Sequence, residues 1–217
     1  MNVLLSCLFA ALGAAPGLAL QSPPPPAAAG PARRAAAPEE LDRLGNAAMR
    51  GDLAGVRAAL ATGMSAKGRT SLGHTPLRMA TSFACSMPGA KPQDVLGIVD
   101  ALIEAGADVN HVDDYGHGDL LMAAQKCKGE VVTRLLKAGG DAEQRSPQGF
   151  SPLSMAFIVK NYDAAAALVD HGARLSPESI KKIFEEPPAE PELAALVKRA
   201  TGTSRPVPTA TPSPARK

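Results

Sequence analysis

The residues best suited to metal chemistry are concentrated in one short stretch. His111, Asp113, Asp114 and His117 are four possible metal ligands within seven residues. Imidazole and carboxylate groups bind zinc, but compact zinc sites have defined ligand spacings and this stretch matches none of them. Polar residues are also expected in a hairpin that joins two structural units. We therefore predict no metal site and no cofactor, and we keep metal handling as an alternative.

Methionine is a second possible metal ligand, because its thioether binds copper. Met79, Met122 and Met155 each lie between a recurring leucine and a recurring alanine. That shared position favours core packing over ligation.

Motifs of the common enzyme classes are absent from the sequence. It contains no Gly-x-Ser-x-Gly elbow, no His-Glu-x-x-His pair and no glycine-rich phosphate loop after a strand. The four histidines, His74, His111, His117 and His171, are scattered over turns and a helix end. The formal net charge of +2 also gives no basic footprint for nucleic acid. We predict neither an enzyme nor a nucleic-acid-binding protein.

Recurring leucines reveal an internal repeat that must position these residues. Leu44, Leu77, Leu120 and Leu153 are separated by 33, 43 and 33 residues, and an alanine follows three positions after each. Glycines recur in step later in each unit, at Gly63, Gly106, Gly139 and Gly172. The chain is 45% hydrophobic but only 3% aromatic, which suits a row of small alanine- and leucine-rich helices.

Cap signals divide each unit into two helices. Thr75-Pro76 and Ser151-Pro152 combine an N-cap hydroxyl with a proline at the first helical position. Asp42 is predicted to cap the first unit, whereas Gly118 gives the third unit no side-chain cap. Each recurring glycine falls where a helix would end in the left-handed conformation.

The residues 73–80, Gly-His-Thr-Pro-Leu-Arg-Met-Ala, and 102–110, Leu-Ile-Glu-Ala-Gly-Ala-Asp-Val-Asn, resemble the ankyrin repeat. The resemblance covers roughly residues 40–175 and implies an all-α solenoid of four helix-turn-helix units with short hairpin loops. The expected units are 40–72, 73–115, 116–148 and 149–175, within a repeat domain at 39–175. Two further helices at 176–200 are expected to cover the last unit.

Two cysteines fall at equivalent places in neighbouring units. Cys85 lies ten residues beyond Thr75, and Cys127 lies nine beyond Gly118, so both are expected at the end of a first helix. In stacked units they should face each other and form a disulfide in an oxidising compartment. Two buried thiols are the alternative.

Proteins with this resemblance hold other proteins in a groove formed by hairpin tips and first helices. Matching by position gives twelve candidate contact residues: Arg50, Arg69, His74, Phe83, Asp114, Tyr115, His117, Gln125, Lys126, Phe150, Ile158 and Val159. Aromatic side chains beside arginine are typical of interface hot spots. The alternative is that Phe83 and Phe150 fold back onto their own units and Tyr115 merely fills a hairpin.

The termini differ from the repeats. Residues 1–20 are apolar and end near Gly17-Leu18-Ala19, which is typical of a secretory signal peptide. Residues 21–38 are rich in proline and alanine and predict a disordered linker, and residues 201–217 predict a disordered tail. We expect a periplasmic or secreted monomer that binds an unidentified protein, without stable membrane insertion after signal cleavage. The bound protein could be a periplasmic enzyme that this protein stabilises or protects. The alternative functions are a metal- or redox-handling periplasmic protein, or an immunity or effector protein.

Overall fold

The computed structural model describes residues 34–184, 186 and 188–202, and the fold of this part is helical. The predicted signal peptide, most of the predicted linker and nearly all of the predicted tail lie outside the described residues. The α-helices are α1 (Pro38–Met49), α2 (Leu53–Leu60), α3 (Pro76–Ser82), α4 (Pro92–Glu104), α5 (Asp119–Lys126), α6 (Gly129–Lys137), α7 (Pro152–Ile158), α8 (Tyr162–Asp170), α9 (Pro177–Ile183) and α10 (Pro191–Thr201). Among the described helices, none is both long and apolar enough to cross a membrane.

Helices α1 to α8 form four successive pairs, which we call units 1 to 4. The first helices α1, α3, α5 and α7 pack on one another in order, and the second helices α2, α4, α6 and α8 do the same. The repeated leucines Leu44, Leu77, Leu120 and Leu153 are all buried in one continuous apolar cluster. The predicted all-α solenoid of four helix-turn-helix units is confirmed.

The predicted N-caps of the first helices are present in units 2 and 4, and the predicted glycines end the second helices. The Thr75 hydroxyl accepts a hydrogen bond from the Arg78 N–H at 3.1 Å, and the Ser151 hydroxyl accepts one from the Ser154 N–H at 3.2 Å. The recurring glycines adopt positive φ, for example 75° at Gly63. The N-caps fix where the first helices start, and the glycines fix where the second helices stop, so together they bound the hairpins between the units.

The predicted cap of unit 1 is wrong. Helix α1 starts at Pro38 after Ala37, and the Glu40 carboxylate accepts the Ala37 N–H at 2.9 Å. Asp42 instead accepts a hydrogen bond from the Ser71 N–H at 2.6 Å, so it ties α1 to the next hairpin. The N-cap of α1 therefore lies five residues before the predicted Asp42.

The residues just before α1 contact unit 1. The Arg34 N–H donates to the Gly63 carbonyl at 3.1 Å, and the Arg34 carbonyl accepts from the Ser65 N–H at 2.8 Å. Hydrogen bonds from the Arg34 guanidinium and the Ala37 N–H lower the pKa of Glu40 to about 2. The end of the segment predicted as linker therefore packs onto the first unit.

Helices α9 and α10 cover the far end of the stack. The Leu175 N–H donates to the Ala200 carbonyl at 2.9 Å, which joins α10 to the end of unit 4. The rings of Phe157 and Phe184 meet edge to face with centroids 5.7 Å apart. The apolar side of unit 4 is thereby covered, as expected for a terminal cap.

The longer unit 2 carries its extra residues between α3 and α4. A 3₁₀ turn, Ala84–Ser86, follows α3. Cys85 in this turn is bonded to Cys127 at the end of α5, with their Cα atoms 4.9 Å apart. The predicted disulfide is present, and it anchors the inserted loop to unit 3.

Removing this disulfide should lower the stability of the protein. The bond joins residues 42 positions apart in sequence. On the chain-entropy model, a loop of that length corresponds to ~4 kcal/mol of stabilisation. We expect the Cys85→Ser, Cys127→Ser double variant to lose about that much in urea denaturation, whereas Ser86→Ala at the exposed neighbouring position should change little. A loss below ~1 kcal/mol would contradict the prediction.

Candidate functional site

Three hairpins between the units share one backbone geometry. In the hairpin that follows unit 1, the Thr70 N–H donates to the His74 carbonyl at 2.8 Å. The equivalent bonds are Asp113 to His117 at 3.0 Å and Ser146 to Phe150 at 2.9 Å. The glycines at the turns, Gly73, Gly116 and Gly149, have φ of 78°, 79° and 84°, which favours glycine. The residue before each glycine is therefore presented at the same point of each hairpin tip.

Large apolar side chains are exposed at both ends of the first helices. At the hairpin end, Leu72 and Tyr115 are 70% and 74% exposed and occupy the same position in their hairpins, with exposed Phe150 nearby. At the opposite end, where the first helix passes to the second, Phe83 and Val159 are exposed. Helices of seven or eight residues separate the two ends by only about 10–12 Å.

All twelve predicted contact residues have accessible surface. Exposed are Arg50, Arg69, Phe83, Asp114, Tyr115, Lys126, Phe150, Ile158 and Val159, and partly exposed are His74, His117 and Gln125. The structure divides them between the two ends of the first helices. The Arg69 guanidinium lies 3.0 Å from the Asp114 carboxylate, which links consecutive hairpins. Tyr115 is 74% exposed, whereas Phe83 and Phe150 are 41% and 37% exposed, so part of each phenylalanine side chain packs against the protein and part is accessible.

A buried polar network lies beneath the hairpin end, between units 2 and 3. Arg78 on α3 is only 3% exposed and binds the Asp113 carboxylate. Its guanidinium also donates to the carbonyls of Gly118 and His117 at 3.2 and 3.1 Å, and it lies 3.3 Å from the Asp119 carboxylate. One arginine therefore holds the hairpin and the start of α5 against α3.

The two carboxylates in this network have opposite pKa shifts. Burial raises the pKa of Asp113, but hydrogen bonds from the His117 N–H and from Arg78 outweigh it and leave that pKa below its usual value. Asp119 is fully buried, and one of its oxygens has no hydrogen-bond partner. Burial raises the pKa of Asp119 to about 7 despite the nearby Arg78. Asp113 is therefore the anion that balances Arg78, and Asp119 is largely neutral below pH 7.

The possible metal ligands of the same hairpin do not converge. Among the described residues, no group of three or more histidine, cysteine or acidic side chains could hold a metal ion. The His117 Nδ1 lies 3.8 Å from the Asp113 carboxylate, while both ring nitrogens of His111 are buried without a partner. Burial, together with the charges of Arg69 and Arg78, lowers the pKa of His111. Of the four, Asp113 pairs with Arg78 and Asp114 pairs with Arg69.

Comparison with known families agrees with the helical stack. Residues 87–179 match the family model described as ankyrin repeats, in three copies. This segment belongs to the ankyrin repeat family. The match begins in the inserted loop of unit 2 and ends in α9, so unit 1 and α3 lie before it. No curated protein matches the chain. Ankyrin repeats indicate a protein–protein interaction module, and the family is generally not enzymatic.

The sequence analysis missed three features of the structure, two at the surface and one in the buried polar network. Leu72 is strongly exposed, and its position before Gly73 matches that of Tyr115, so the repeat alignment could have found it. Lys128 and Lys160 line a pocket with Gln125, Lys126 and Val159 between units 2 and 4. The buried pairing of Arg78 with Asp113 and Asp119 was also missed, because no repeat position signals it.

Asp119 should make the ankyrin-repeat domain less stable as the pH rises. The folded protein keeps the Asp119 proton up to about pH 7, whereas the unfolded chain loses it near the ordinary value of 3.8. The native state therefore binds more protons between these values, and the free energy of unfolding falls across that interval. Asp119→Asn imitates the neutral acid and should reduce this fall, with a gain of ~1–4 kcal/mol near pH 8.

Urea denaturation of both proteins between about pH 5 and about pH 8 measures the difference. Asp114→Asn is the matched control, because Asp114 lies in the hairpin just before α5 but is exposed. This control should keep the slope of the original protein. If the free energy of unfolding changes with pH by the same amount in the original protein and in Asp119→Asn, the raised pKa of Asp119 is disproved.

Proposed function

We propose that this protein binds a partner protein non-covalently through its hairpin tips and first helices. The observation that carries the proposal is the repeated exposure of large apolar side chains on a rigid stack, above all Leu72 and Tyr115. Exposed apolar and aromatic residues in contiguous positions mark interaction surfaces more often than isolated ones do. Because the residues come from successive units, a single partner can contact several of them at once.

Rigidity of the stack supports binding without large rearrangement. The Arg78 network and the Cys85–Cys127 disulfide connect unit 2 to unit 3 at opposite ends of α3. A preorganised surface loses less conformational entropy when a partner binds, so more of the contact energy contributes to affinity. We propose that the protein acts as a monomer in this role.

We further propose that the protein acts in the periplasm or outside the cell. The Cys85–Cys127 disulfide supports this location, since structural disulfides persist in oxidising compartments. The apolar residues 1–20, which suggest a secretory signal, lie outside the described part of the chain. A periplasmic enzyme that the protein stabilises or protects is the client we favour. An immunity or effector protein would use the same surface.

The hairpin and helix-end aromatics should be required for partner capture. We expect Phe83→Ala, Tyr115→Ala and Phe150→Ala together to abolish capture of the partner from a gently crosslinked envelope fraction. Tyr115 is 74% exposed, but Phe83 and Phe150 are only 41% and 37% exposed, so the free energy of unfolding should fall by about 1–3 kcal/mol without loss of the fold. Substitution of three exposed lysines far from this surface, Lys137, Lys181 and Lys182, by glutamine is the control.

Two readouts separate loss of contact from loss of structure. Circular dichroism should show the same helix content in the aromatic variant and the original protein. Quantitative mass spectrometry of the captured material should show one or a few proteins lost with the aromatic variant and kept with the control. Capture that persists with all three aromatics removed would reject this surface.

A further inference from the structure

A pocket of about 330 Å³ lies where the first helices of units 2 to 4 end and the second helices begin. The Cys85–Cys127 disulfide forms part of its wall, and Val159 contributes an apolar side chain. Three of the residues predicted as partner contacts, Gln125, Lys126 and Val159, line it. The pocket is therefore continuous with the helix-end part of the proposed contact surface.

The charge of this pocket is strongly one-sided. Lys126, Lys128 and Lys160 line it, while Glu130 supplies the one carboxylate among its lining residues in the described structure. In that part of the chain, none of these lysines forms a salt bridge with an acidic side chain. The Lys126 ammonium donates to the Ser82 carbonyl at 3.1 Å, which positions its charge without neutralising it. With three lysines and one glutamate, the lining carries a formal charge of +2, which favours negatively charged groups.

The local backbone adds to this positive potential. Helices α6 and α8, each nine residues long, begin beside the pocket. Lys128 is the N-cap residue of α6 and provides no side-chain acceptor for the first-turn N–H groups. The N-terminus of a helix carries partial positive charge, so it strengthens the attraction that the lysines create.

Val159 lines the pocket with the cations, and Phe83 directly follows Ser82, whose carbonyl accepts the hydrogen bond from Lys126. Phe83, Lys126 and Val159 occupy the same position in units 2, 3 and 4, and both apolar members are exposed. A free inorganic anion would satisfy the lysines but leave Phe83 and Val159 in water. A peptide segment that carries both carboxylates and an apolar side chain matches all of these groups.

We propose that this pocket receives an acidic segment of the partner protein. Its carboxylates pair with Lys126, Lys128 and Lys160, and an adjacent apolar side chain packs on Phe83 and Val159. The inference rests on the proposed function in that the occupant is a protein, and it adds the chemistry that the protein must present.

Fluorescein-labelled peptides of about twelve residues, in which glutamates flank one leucine or phenylalanine, are the direct probe of this chemistry. Fluorescence anisotropy with the full chain should show saturable binding. Matched peptides with glutamine in place of glutamate should bind at least about tenfold more weakly. Raising the salt concentration from about 50 to about 300 mM should weaken the acidic peptides but not the glutamine peptides.

The variant Lys126→Gln, Lys128→Gln, Lys160→Gln should weaken acidic peptide binding by at least about tenfold. The matched control, Lys137→Gln, Lys181→Gln, Lys182→Gln, removes the same charge outside the pocket and should bind as the original protein does. Replacing the three pocket lysines by glutamate should transfer the preference to peptides with lysine in place of glutamate. Circular dichroism establishes that each variant is folded.

Three results would overturn the proposal. The first is no saturable binding of the acidic peptides at about 1 mM, or equal binding of the glutamine peptides. The second is complete displacement of the peptides by millimolar phosphate or acetate, which would show a simple anion site. The third is salt-sensitive self-association through the lysines in analytical ultracentrifugation, which would show that a second copy of this chain is the occupant.

The outcome is separable from the proposed function. Tyr115 lies at the hairpin end and outside the pocket, so Tyr115→Ala should keep acidic peptide binding. If the original protein captures its partner but binds no acidic peptide, only the present inference fails. If the lysine variant loses the peptide while the aromatic variant still captures protein, the aromatic surface fails and the lysine pocket stands.

Discussion

Each helix pair in this protein has an apolar face that it cannot bury alone. Helices α3 and α7 have only seven residues, and isolated helices of that length are unstable in water. Their stability comes from the neighbouring unit, which covers Leu77 and Leu153 on the adjoining side. The same requirement explains the two ends, since α9 and α10 cover unit 4. Every functional feature of the surface depends on this stacking, because the surface residues come from different units.

The contact between units 2 and 3 is reinforced beyond apolar packing. Unit 2 contains the inserted loop, and unit 3 begins at Gly118 without a side-chain cap. This contact therefore departs most from the regular pattern of the repeat. Arg78 connects the two units at the start of α3, and the Cys85–Cys127 disulfide connects them beyond its end. A buried ion pair does not stabilise a fold reliably by itself, because desolvation opposes the Coulomb attraction. Together with the covalent bond, however, it fixes the register of the two units.

The two ends of the first helices present different chemistry to a partner. The hairpin end carries Leu72 and Tyr115, whereas the opposite end carries lysines around a pocket. A partner that contacts both ends must place apolar groups and carboxylates about 10–12 Å apart. This asymmetry would fix the orientation of the partner. A partner bound in the reverse orientation would place its carboxylates on apolar side chains and leave the lysines unpaired.

The sequence by itself determined the period, the helix starts at Thr75 and Ser151, and the equivalent positions of Cys85 and Cys127 in neighbouring units, whereas the bond between these cysteines is seen in the structure. These follow from local rules, namely apolar spacing and glycine at positive φ in every unit and N-cap hydroxyl groups in units 2 and 4. Only the tertiary structure decided that Arg78 is buried against Asp119, and that Lys126, Lys128 and Lys160 share one pocket. Asp119 is 41 positions from Arg78, and Lys160 lies more than thirty positions beyond Lys126 and Lys128, so these arrangements depend on how one unit is rotated against the next. Spacing along the chain does not encode that rotation, because it is set by the packing of side chains from both units at once.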